Sequence, residues 1–161
     1  MKLLKSLAAA ALVTGLLTSA ALAETVVKVT LIDKMTDSDL SKPLGLGVGM
    51  KADMSKAPMG VAVNPKLATP GAVRLDVTNL ASSLVHEVQV ARITDESQVL
   101  TYDQSRNKVD TEGLEILGSV AEIMPSKSAS LIIDLSPGKY LLFCNVAGHY
   151  MAGMWAIIEV K

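Results

Sequence analysis

The 161 residues carry 15 lysines and arginines against 16 aspartates and glutamates. The chain therefore lacks the basic excess that nucleic-acid binding requires. Half of it is hydrophobic, and its one cysteine excludes an internal disulfide framework.

The first 23 residues read as a secretory signal. Lys2 and Lys5 form a basic start, residues 7–17 are apolar, and Ala21-Leu22-Ala23 is a small-x-small cleavage pattern. The apolar part is too short and too interrupted by Thr14, Gly15, Thr18 and Ser19 to span a membrane. Cleavage is expected between Ala23 and Glu24, which sends the protein to the periplasm and leaves residues 24–161 as a single domain with no membrane span. The mature chain loses two basic residues and becomes mildly acidic.

Strand signals dominate the mature chain. Residues 25–32 are a β-branched run suited to a first strand. Residues 33–60 change texture, rich in Gly, Pro, Asp, Ser and Met, and read as a long loop. A short strand is expected at 60–63, stopped by Asn64-Pro65. In 72–78, Val73, Leu75 and Val77 alternate with Arg74 and Asp76, the period of a half-buried strand. The strand over 85–93 puts His86, Val88 and Val90 on one face, which points His86 towards the core. Residues 94–119 form a polar, acidic excursion with a short helix expected over 112–117. Strands over 128–135, 139–144 and 154–160 complete the chain, with Ser136-Pro137-Gly138 a strong turn. The expected architecture is an all-β, Greek-key β-sandwich with long loops.

Chemistry concentrates near the end. Residues 142–155 hold the only cysteine, Cys144, one of two histidines, His149, and two methionines, Met151 and Met154. Cys-x4-His-x4-Met places a thiolate, an imidazole and a thioether on one loop. These are ligand types that a blue-copper centre combines with a second histidine, and His86 is the only other one. A lone cysteine in an exported chain is a spare thiol, an intermolecular link, a nucleophile or a ligand. Zinc is a weaker fit, since structural zinc sites draw on more thiolates or histidines. A Cys–His nucleophile lacks any third orienting group or oxyanion motif, so no enzymatic activity is expected.

The stretch Phe-Cys-Asn-Val-Ala-Gly-His-Tyr-Met-Ala-Gly-Met resembles the ligand loop of cupredoxins, the plastocyanin/azurin family of type 1 blue-copper proteins. Its spacing is similar to that of rusticyanin and sulfocyanin. Val-Thr-Asn-Leu-Ala-Ser-Ser-Leu-Val-His-Glu-Val resembles the family's first-histidine segment, and the likeness covers residues 71–160. The resemblance implies one type 1 copper ion, held by His86, Cys144 and His149 in the equatorial plane and Met154 on the axis. It also implies single-electron transfer through the exposed edge of His149. Many relatives carry Asn after the first histidine, where it tethers the ligand loop; here that residue is Glu87, which puts the side-chain tether in doubt.

Redox protein partners are then expected to dock near His149, on a rim of Tyr150, Met151 and Trp155, with the protein itself a monomer. Two histidines leave no ligands for further copper centres of other types. A rival reading is a periplasmic copper carrier or resistance factor, with Met50, Met54 and Met59 as a soft secondary copper(I) site.

Overall fold

The computed structural model describes residues 24–34, 57–94 and 97–161, so the expected signal segment, Met50 and Met54 lie outside the described residues. Among the described residues, eleven strands follow in order: β1 (Thr25–Asp33), β2 (Met59–Asn64), β3 (Leu67–Ala68), β4 (Gly71–Asn79), β5 (His86–Ile93), β6 (Tyr102–Asp103), β7 (Lys108–Val109), β8 (Ile116–Ile123), β9 (Ser128–Leu135), β10 (Gly138–Phe143) and β11 (Trp155–Val160). They build a four-stranded sheet in the order β2-β1-β4-β9, a five-stranded sheet in the order β3-β11-β10-β5-β8, and a separate β6-β7 hairpin. Parallel pairing of β1 with β4, and of β3 with β11, interrupts otherwise antiparallel ladders. This is the Greek-key sandwich expected from the sequence.

Alternation fixes which side chains enter the core. Val27, Val29 and Leu31 from β1 and Val73, Leu75 and Val77 from β4 are buried on the inner face of one sheet. Val88 and Val90 from β5, Tyr140 and Leu142 from β10, and Ile158 and Val160 from β11 meet them from the other. His86 and Cys144 continue these inward rows and are themselves fully buried. Because β5 and β10 run antiparallel, with Phe143 opposite Gln89, the start of β5 and the end of β10 fall at the same end of the sandwich. That shared end makes one site from residues 58 positions apart.

Two expectations change. No helix forms over 112–117: Gly113 takes a left-handed φ of 82°, and Ile116 begins β8. A helical reading of this stretch fails because the glycine breaks it and the following residues pair with β5. The remainder of the excursion is also more ordered than its polarity implies. It lies over the outer face of the five-stranded sheet, where Leu100 and Val109 bury against Ala91, Ile93, Leu141, Phe143 and Tyr150. This second, smaller core gives the Cys144 end of β10 apolar cover on both faces. Met59, the described member of the methionine group, opens β2 and packs partly buried against the main core.

Candidate metal centre

His86 is aimed by the turn that precedes it and by the strand beside it. Asn79 closes β4, fully buried, and its amide donates to the carbonyls of Leu84 and Ile123 at 2.8 Å each while accepting from the Ala81 N–H at 2.9 Å. Ile123 is the partner of His86 in the ladder. Between the His86 and Val88 pairs β8 carries one residue more than β5, with Glu122 at a φ of 53°. A bulge of this kind rotates the facing strand and re-aims its side chains.

Cys144 follows β10 directly, and its backbone N–H donates to the Met154 carbonyl at 3.0 Å. The chain then coils tightly. His149 N–H donates to Val146 O at 3.0 Å, Ala152 N–H to Gly148 O at 3.0 Å, and Met154 N–H back to His149 O at 3.1 Å. Gly148 and Gly153 take φ values of 83° and 99°, a region closed to most other residues. These two glycines let so short a segment return Met154 to the position beside Cys144.

The result is a converging trio. The Nδ1 atoms of His86 and His149 stand 3.1 Å apart, and the Cys144 sulfur lies 3.4 Å from His149 Nδ1 and 4.0 Å from His86 Nδ1. Donor atoms bound to one ion at about 2.0–2.3 Å, with angles of roughly 100–130° between them, sit roughly 3–4 Å from one another, so these separations fit a single shared metal. Two imidazoles and a thiolate, with no carboxylate in the group, match the donor preferences of copper. Met154 is fully buried on the same loop, whereas Met151 is half-buried. Sequence reasoning thus named the three residues that converge, with Met154 tied to two of them through its backbone.

Glu87 resolves the doubt about the tether. Its backbone N–H points at the Cys144 sulfur at 3.5 Å, and its carboxylate accepts from the Asn145 N–H at 3.1 Å and from Gln89 at 3.0 Å. A carboxylate therefore does the tethering here. Tyr150 differs from its expected place on the rim. It is 1% exposed, stacked with Tyr102 and edge-on to Phe143, beneath the outer hairpin. Met151 and Trp155 are half-buried.

Burial sets the protonation of the metal-free site. It pushes the Cys144 thiol up to about 11, against the opposing effect of the Glu87 and Val146 N–H groups. It pulls His149 down to about 4, assisted by neighbouring His86, and lowers His86 as well; Asp33 acts in the opposite direction on both rings. At neutral pH both imidazoles are neutral and the thiol keeps its proton. Copper(II) loading near pH 7 is therefore expected to release about one proton per ion, all of it from Cys144. Affinity then rises about tenfold per pH unit from neutral pH up to about 11, and falls more steeply in acid, where His86 and, near 4, His149 must also lose protons. Titration calorimetry in buffers of different ionisation enthalpy counts these protons; release of two at neutral pH contradicts the neutral-imidazole site.

The fold and the segment that carries the ligand loop both have counterparts among known proteins. Residues 116–161 match the sulfocyanin (SoxE) domain, a segment that includes Cys144, His149 and Met154 but not His86. The fold is similar to that of reduced rusticyanin, with a TM-score of 0.54 at 15% identity over 88% of this chain and 82% of that one. It is similar also to rusticyanin from Thiobacillus ferrooxidans, with a TM-score of 0.53 at 17% identity over 86% of this chain and 77% of that one. No curated protein sequence matches the chain.

Proposed function

We propose that this chain, a cupredoxin with a type 1 blue-copper ligand set, carries single electrons between redox proteins in the periplasm. The observation that carries the reading is the convergence of His86 Nδ1, His149 Nδ1 and the Cys144 sulfur at the end of a rigid sandwich. Bound copper would supply one-electron chemistry, alternating between copper(I) and copper(II). The protein's part is to hold one donor set that serves both states. His86 is fixed by the Asn79 turn and the β8 bulge, and the Cys144–Met154 loop by its own hydrogen bonds and by Glu87. Met154 would be the fourth donor, in keeping with its complete burial on the same loop.

His149 is the outlet, since 8% of it remains exposed while His86 and Cys144 show none. The same end of the sandwich exposes Leu80 and Met124, at 63% and 54%, where β4 and β8 finish. An apolar margin of this kind suits a small, transient redox interface. Export rests on the basic, apolar and small-x-small pattern of the first 23 residues.

The visible spectrum of the copper(II) form tests the assignment: intense thiolate-to-copper absorption is expected, and a colourless loaded protein rejects it. Met154→Leu is expected to keep the colour and raise the reduction potential. Losing a weak thioether donor penalises the more highly charged oxidised form more than the reduced one. The rise is expected to be roughly 60 mV, the one-electron equivalent of a tenfold change in relative affinity. If voltammetry finds that shift in Met151→Leu instead, the axial ligand is Met151.

A further inference from the structure

The ligand loop is gripped from outside as well as from within. Asn145, directly after Cys144, is 7% exposed and turns its amide away from the metal centre towards the β6-β7 hairpin. There Oδ1 accepts from the Val109 N–H at 2.8 Å and Nδ2 donates to the Val109 carbonyl at 3.0 Å. One side chain thus copies the paired bonds of a β-ladder. A third bond crosses three residues later, from the Gly148 N–H to the Asn107 carbonyl at 2.8 Å. Asn107 is set for it: it takes a left-handed φ of 56°, and its side-chain oxygen accepts from the Tyr102 hydroxyl. Gly148 permits the approach, for a Cβ there would lie 3.2 Å from Asn107 Nδ2. Tyr150 then stacks on Tyr102, with ring centroids 6.3 Å apart.

We propose that the β6-β7 hairpin is the outer jaw of the metal centre, and that Asn145 is the positioning residue through which it fixes the span from Cys144 to His149. The inner jaw is the Glu87 carboxylate on the Asn145 N–H, so this one residue is bonded from both sides. Asn145 is not among the three converging residues. It acts by holding the loop so that the thiolate and imidazole positions change little between oxidation states, which keeps the reorganisation accompanying electron transfer small. The hairpin's polar tip, with Asp103 accepting from Ser105 and Arg106, closes on itself and leaves the other side free for the loop.

The part concerning electron transfer rests on the copper reading above, so the test has one arm that does not. Asn145→Leu removes the amide while keeping its branched shape. In the metal-free protein, hydrogen exchange at the Val109 and Gly148 amides is expected to accelerate at least about tenfold, with the β10 amides of Leu141 and Leu142 unchanged. In the copper-loaded protein, NMR line broadening measures electron self-exchange, in which one molecule's copper(I) is oxidised as another's copper(II) is reduced. The rate is expected to fall at least about fivefold. Tyr102→Phe, a gentler change at a residue that is not a ligand, is expected to move both readouts in the same direction and by less.

Unchanged exchange at Val109 and Gly148 in Asn145→Leu overturns the jaw. Accelerated exchange with self-exchange within twofold of the wild type reduces the hairpin to a structural cover and overturns the positioning role. Should Asn145→Leu not fold, Tyr102→Phe decides by the same criteria. A colourless wild type with accelerated exchange at the two amides would retain the jaw while removing the copper reading.

Discussion

Cys144→Ser is expected to abolish the visible absorption of the copper-loaded protein and to weaken copper binding more than about 100-fold. That exceeds what is lost when only a residue supporting a ligand is changed. The argument is chemical. The thiolate is both the soft donor that tolerates copper(I) and the electron source for the colour, and a serine hydroxyl, which keeps its proton at neutral pH, provides neither. The argument is also positional, because Cys144 is fully buried at the end of β10 and no other cysteine can replace it. The fold is expected to survive. Serine is close in size, and the Glu87 N–H that faces the sulfur is available to the new hydroxyl. Thermal unfolding of the metal-free variant should stay within about 1 kcal/mol of the parent, the ordinary worth of one hydrogen bond. Blue colour persisting in this variant would mean that the thiolate is not a copper ligand.

The sequence told most about the parts where period and chemistry act together. Strand parity alone sent His86 inward with Val88 and Val90, and the structure buries all three. The lone cysteine, the two histidines and Met154 pointed to a ligand set for a chemical reason, since few side chains bind soft metals. The excursion from 94 to 119 was opaque because its apolar residues follow neither period. Leu100 and Val109 belong to short segments that gain burial only by lying across another sheet, a tertiary effect that local pattern does not encode. Tyr150 was misjudged for the same reason. Its neighbour His149 keeps 8% exposure, but its own ring joins the smaller core, covered by a hairpin remote in sequence. The Glu87 tether was hidden because the expectation concerned a residue type, whereas the loop needs only an acceptor for the Asn145 N–H. A carboxylate supplies that as well as an amide does.

Asn79→Ala is expected to produce the largest loss of stability among single changes remote from the ligands, about 3–4 kcal/mol. Three side-chain hydrogen bonds disappear, each worth about 1 kcal/mol net, and the Leu84 and Ile123 carbonyls and the Ala81 N–H lose a partner in a region where Asn79 and Ala81 exclude water. Its main-chain bonds, from Asn79 N–H to Lys127 O and from Ser126 N–H to Asn79 O, do not depend on the side chain and should persist. In a domain of this size the loss corresponds to a fall in Tm of roughly 10–15 °C. Asn79→Asp separates the contributions, for it keeps an acceptor for Ala81 while losing both donated bonds. It should therefore be no more than partly restored. The change also reaches the metal centre, since the same amide links the turn before His86 to Ile123, the residue paired with His86 in β8. Copper should dissociate faster from Asn79→Ala than from the parent even below its melting temperature, while the colour of the loaded fraction persists. A variant that melts within about 1 kcal/mol of the parent would show that the buried amide is not what aims His86. One that melts early but releases copper at the parental rate would show that the turn stabilises the sandwich without positioning the ligand.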